Sequence, residues 1–137
     1  MRTHLNHLQF NVEAGNLDFY RQLFGRLGWT PLLEGDWGFG LAVDGQSPSI
    51  WFAASGTPPT HAHDWDEPGL NHLGINCDAI ADVDAVAAWL RGQGVELLFD
   101  TPTHRPEYSQ GEGQTYYSVM FASPDRLLLE VVYIGPL

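Results

Sequence analysis

Near the start of the chain, polar and apolar side chains alternate. His7, Gln9 and Asn11 fall on one face of an extended segment, and Leu8, Phe10 and Val12 fall on the other. A period of two marks a half-buried strand, so residues 4–12 predict one. The period then lengthens. From Asn16, placed as a helix N-cap, towards Gly28, the apolar positions Leu17, Tyr20, Phe24 and Leu27 keep the three-to-four spacing of one helix face. Three strand-like pieces follow at residues 29–33, 37–43 and 49–53, punctuated by Gly, Asp and Pro.

After residues 55–68, a Pro-, Gly- and acid-rich stretch that reads as a linker, the pattern restarts. Residues 70–77 repeat the first strand, with His72, Gly74 and Asn76 on one face. A helix over 83–93 carries Val83, Val86, Ala87 and Leu90 and stops at Gly94. Strands are expected at 95–99, 115–122 and 127–134. His7 and His72 are 65 residues apart, Gly28 and Gly94 66, and Asn-His-Leu occurs at both Asn6–Leu8 and Asn71–Leu73. The chain therefore reads as a single α+β domain of two βαβββ modules, about 1–54 and 69–137. Neither module buries its apolar face alone, so the two are expected to pair into one sheet structure.

Charge narrows the partners. Seventeen acidic residues face six basic ones for a net charge of −11, and all six basic residues are Arg. With no lysine there is no Schiff-base or phosphate-loop lysine. With no basic patch, nucleic acid and anionic membrane are disfavoured, which leaves a small molecule as the expected partner. Cys77 is the lone cysteine, and no apolar run has the length of a signal peptide or a membrane span. A cytoplasmic protein is the expectation.

Three residues carry candidate chemistry. His7 and His72 hold equivalent places in the first strand of each module, and Glu130 interrupts the apolar strand Leu127–Tyr133. An acid there is costly unless paired or metal-bound, or unless it is an edge residue turned to solvent. If the strands converge, two imidazoles and a carboxylate form a facial triad that leaves positions open on a divalent metal. Patterning alone keeps both readings open.

The segments Asn6–Val12, Leu17–Trp29, Gly69–Cys77 and Ser123–Tyr133 resemble the vicinal oxygen chelate superfamily, which includes glyoxalases, extradiol dioxygenases, fosfomycin-resistance proteins and bleomycin-binding proteins. The resemblance covers nearly the whole chain. It implies two βαβββ modules forming an open, U-shaped mixed sheet around a metal held by His7, His72 and Glu130. It also implies a homodimer, with the site completed within one chain or across two. The chain departs from each branch of the family. Trp51 stands where glyoxalase-like isomerases carry a carboxylate, which speaks against lactoylglutathione lyase activity. Met120 stands four residues before Pro124, where extradiol dioxygenases carry a Tyr, and residues 111–114 lack their His. Fosfomycin-modifying enzymes have a Trp resembling Trp51 but use basic groups for the phosphonate, and this chain has no Lys.

The expected function is a divalent-metal-dependent enzyme, with Fe, Mn, Zn or Ni, acting on a small oxygen-chelating substrate as a lyase, isomerase, transferase or dioxygenase. The alternative is a metal-free protein that sequesters a hydrophobic or cationic small molecule. Gln9 and Asn11 share the face of His7 and are candidate substrate contacts. Tyr116 is placed on the cavity side as a proton donor or acceptor, Trp37, Phe39 and Trp51 as an apolar wall, and Arg105 as the residue to meet an anionic group from a Pro-rich lid loop that includes His104. His61, His63 and Asp64 read as a solvated loop, and Cys77 as packing.

Overall fold

The first alternating segment becomes β1 (His7–Val12), with Phe10 and Val12 buried and His7, Gln9 and Asn11 exposed. The computed structural model describes all 137 residues, which divide into two compact units, Met1–His61 and Ala62–Leu137. In the first unit, α1 (Leu17–Arg26) follows β1, and then come β2 (Thr30–Gly35), β3 (Gly38–Ala42) and β4 (Ser49–Ala54). The sheet order is β1-β4-β3-β2, with β1 and β4 parallel and the other pairs antiparallel. Asn16 does occupy the N-cap position, but its side chain makes no capping hydrogen bond.

Phe52 is the centre of this unit's core. It is fully buried, and its ring lies 4.3 Å from Tyr20, 5.3 Å from Phe24, 5.6 Å from Phe10 and 5.6 Å from Phe39. The helix face seen in the sequence, Tyr20 and Phe24 with Leu23, is the one that meets the sheet. Charge is tied down at its rim, where Arg21 binds Asp18 at 2.9 Å and Glu34 at 3.2 Å, its guanidinium 4.4 Å from the Phe39 ring centre.

The second unit repeats the order: β5 (His72–Cys77), α2 (Ile80–Gly92), β6 (Leu97–His104), β7 (Gln114–Ala122) and β8 (Leu128–Pro136). Its sheet order is β5-β8-β7-β6, with β5 and β8 parallel. Each unit thus has its own mixed four-stranded sheet, an α+β architecture with one α-helix per sheet. Val83, Val86, Ala87 and Leu90 of α2 are buried. Arg126, in the turn between β7 and β8, reaches the segment before β5: its guanidinium lies 4.9 Å from the Trp65 ring and its Nε donates to the His63 carbonyl.

One strand departs from expectation. His104 lies at the end of β6 rather than in a lid loop. Between the pairs Leu98–Met120 and Thr103–Ser118, four residues of β6 face one of β7. Phe99 and Asp100 take up the excess at φ 57° and 56°, conformations that side-chain-bearing residues adopt only when the surroundings hold them. The holding group is buried Thr101, whose hydroxyl donates to the Leu98 carbonyl at 2.7 Å and accepts from the Met120 amide at 2.9 Å.

Candidate functional site

β8 is buried from Leu128 to Val132, as expected of a strand flanked on both sides, so Glu130 lies in an apolar setting with only 5% of its surface exposed. Its register partners are Gly74 on β5 and Met120 on β7. His72 is two residues before Gly74 and points to the same face, which brings its Nε2 to 3.6 Å from Glu130 Oε2. The same oxygen accepts a 2.8 Å hydrogen bond from the Tyr116 hydroxyl. Burial, and then the bond to Glu130, push the Tyr116 hydroxyl well above the usual phenol range, so it keeps its proton and donates it. Exposed Tyr108 packs edge-on against Tyr116, with ring centres 5.7 Å apart.

Both site histidines are held by the residue before them. His7 Nδ1 lies 2.6 Å from Asn6 Oδ1, and His72 Nδ1 lies 2.7 Å from Asn71 Oδ1. A carbonyl oxygen can only accept, so each Nδ1 is the ring nitrogen that donates to its asparagine, which leaves Nε2 as the nitrogen turned outward. A metal-binding imidazole makes the same outer contact through its second nitrogen. The repeated Asn-His-Leu was the signal in the sequence, although it assigned the two asparagines no role.

In the first unit, His7, Gln9 and Trp51 line a cavity of about 550 Å³ with Leu32, Leu33 and Gln46. Asn11 lies on the same face but outside that lining, accepting from Gln9 Nε2 at 3.3 Å. Phe39 does not belong to the wall. It pairs with Phe52, is fully buried and faces the helix side. Arg105, in the second unit, donates to the Phe99 carbonyl at 2.9 Å. The structure thus brings together His72, Glu130 and Tyr116 in one unit, and His7, Gln9 and Trp51 in the other. No three His, Cys, Asp or Glu side chains are grouped as an ion cage. Of the remaining residues, the Cys77 thiol donates to the Ala79 and Val132 carbonyls, and burial raises its pKa, consistent with packing. His63 Nε2 is buried without a partner.

Two copies of a βαβββ unit, each opening on an Asn-His pair and the second ending on a buried glutamate, define a class. The chain belongs to the glyoxalase/bleomycin resistance protein/dioxygenase superfamily, whose family model matches residues 4–131. No curated protein matches it. Solved structures share its fold. A protein assigned as a glyoxalase from Bacillus halodurans is 23% identical over 94% of each chain, with a TM-score of 0.76. The antibiotic-binding protein TnmS3 from a Streptomyces species is 21% identical over 98% of each chain, with a TM-score of 0.60. A lactoylglutathione lyase from Agrobacterium tumefaciens is 15% identical over 96% of this chain and 94% of its own, with a TM-score of 0.60. No helix is long and apolar enough to cross a membrane.

Proposed function

We propose that this chain is a divalent-metal-dependent enzyme of the glyoxalase/dioxygenase type acting on a small, oxygen-chelating substrate. The observation that carries the reading is the approach of His72 Nε2 to Glu130 Oε2 at 3.6 Å while Asn71 holds the other ring nitrogen. An imidazole anchored through its other nitrogen and a buried carboxylate suit Fe, Mn, Zn or Ni alike. His72 and Glu130 would be two ligands, and His7, prepared by the same device, the third, from the same chain or from a second copy. When bound, such an ion supplies Lewis acidity to substrate oxygens.

The chain's own residues do the rest. Asn6 and Asn71 fix the two rings. The Tyr116 hydroxyl donates to Glu130 Oε2, which orients the carboxylate and keeps a neutral phenol beside it. Gln9 offers an amide to a substrate from the face of His7. A homodimer and a cytoplasmic location accompany this reading, the first from the family resemblance and the second from the unpaired Cys77.

A second reading, a metal-free binding protein, is favoured by the Trp51-lined cavity of the first unit. Elemental analysis of tag-free protein beside Glu130→Ala separates the two. About one transition metal per chain, lost in the variant, supports the enzyme. No metal in either protein, even after reconstitution, refutes it and leaves the binder.

A further inference from the structure

The face of the first unit's sheet turned away from α1 is an aromatic floor. Trp51 sits opposite Gly40 in register, and a Cβ at Gly40 would lie 2.5 Å from the indole. Trp37, in the turn before β3, lies over Gly35 in the same way, since a Cβ there would come within 2.6 Å of its Nε1. Neither glycine is in the left-handed region, so what both supply is room for a ring to lie against the backbone. The two indoles are 6.0 Å apart between centres and 25° apart between planes. Trp37 is 41% exposed and Trp51 half-buried, so ring surface remains open. Trp51 Nε1 already donates to Ser49 Oγ at 3.0 Å, so this indole offers its face rather than its donor.

Charge is kept off this face. Glu34 pairs with Phe39 in register, which sends it to the helix side, where Arg21 meets it. The adjoining cavity has His7 as its only titratable lining residue, and its polar edge is made of amides, Gln9 and Gln46 foremost. An anion entering would lose its hydration with no cation to meet it, in a chain of net charge −11.

We infer that this cavity takes an uncharged, flat aromatic ligand, its ring against Trp51, which Trp37 backs from outside the cavity lining, and its polar edge on Gln9 and Gln46. The inference rests on the proposed function where it names the class from which the substrate is drawn. The cavity itself needs neither Glu130 nor a metal.

The test is calorimetric titration of metal-free, chelator-dialysed protein at neutral pH with 2-naphthol and with naphthalene-2-sulfonate, the same ring without and with a charge. The expected result is saturable binding of 2-naphthol, with the sulfonate at least about tenfold weaker. A roughly tenfold loss of 2-naphthol affinity is expected in Trp51→Leu, the size of one lost aromatic contact. Gly40→Ala, which lifts the indole off the sheet, should weaken binding in the same direction and serves if Trp51→Leu does not fold. Absence of 2-naphthol binding, equal binding of both probes, or unchanged affinity in a folded variant would overturn the inference. Metal content separates this from failure of the enzyme reading. A protein that holds no metal as purified or after reconstitution, yet selects 2-naphthol, keeps the cavity and loses the enzyme, whereas one that holds metal before chelator dialysis and ignores 2-naphthol afterwards does the reverse.

Discussion

Trp51 in β4 and Glu130 in β8 occupy the same place in two copies of one strand ladder. Each pairs with the residue two past the histidine of the neighbouring parallel strand, Gln9 in one case and Gly74 in the other. One backbone position therefore delivers a carboxylate to a histidine in the second unit and an indole to a cavity in the first. The partner across β4 is Gly40, which makes room for the ring, while the partner across β8 is Met120.

The Asn-His device leads to a prediction about metal affinity. Asn71→Ala removes the acceptor on His72 Nδ1 and frees both tautomer and ring angle. If His72 is a ligand, affinity should fall by about 10–100-fold, the usual effect of losing such an outer contact. Competition against a metal-sensitive chelator dye measures it, and an unchanged constant would remove His72 from the ligand set.

Tyr116→Phe leaves buried Glu130 without its hydroxyl donor. A hydrogen bond to a charged group is worth about 1.5–3 kcal/mol, so urea denaturation of the metal-free variant should show a loss in that range. A loss well below it would mean that solvent takes over the role of the phenol.

Tyr117 faces the other side of β7 and donates to Asp84 of α2 at 2.8 Å. Burial, and then that bond, raise its pKa above the ordinary phenol value. The folded state thus holds the proton more tightly than the unfolded one. The stability it adds is complete below about pH 10 and drains away as pH rises through the folded-state pKa. Tyr117→Phe should cost about 0.5–1 kcal/mol at neutral pH and flatten the alkaline decline. Denaturation midpoints at neutral pH and above pH 10 test both; parallel declines in the two proteins would contradict the assignment.

The first unit's core should fail at Phe52 before anywhere else. Four aromatic rings meet it and it has no exposed surface. Phe52→Ala should cost about 3–5 kcal/mol. Gly38→Ala should also be severe, because its φ of 137° is strained for any side chain and the new Cβ would be driven into the Phe52 carbonyl oxygen. Thermal melts of both variants, with Gly25→Ala as a control at a helix position with open space, check the ranking.

Alternation, helical spacing and the restart of the pattern determined a great deal from sequence alone. The faces of β1 and both helices, the two βαβββ units and the singularity of Glu130 were all legible because each is a local consequence of which side chains must leave water. Phe39 shows where that reasoning stops. Spacing by two puts Trp37 and Phe39 on one face only if the strand includes both, but β3 begins at Gly38 and Trp37 belongs to the turn before it. Parity breaks there, and pairing with Phe52 sends Phe39 into the core.

β6 was cut short for a related reason. Pro102 looks like a strand breaker along the chain, yet Thr101 bridges the interruption by bonding to a strand partner nineteen residues away. The contacts of the site belong to the same category. That Tyr116 donates to Glu130 and that Gly40 leaves room for the Trp51 indole are relations between residues whose separation only the register sets. The sequence determined which side chains had to be buried. The tertiary structure decided which partners they met, because hydrogen bonds and ring contacts depend on distances of a few ångströms that chain spacing does not encode.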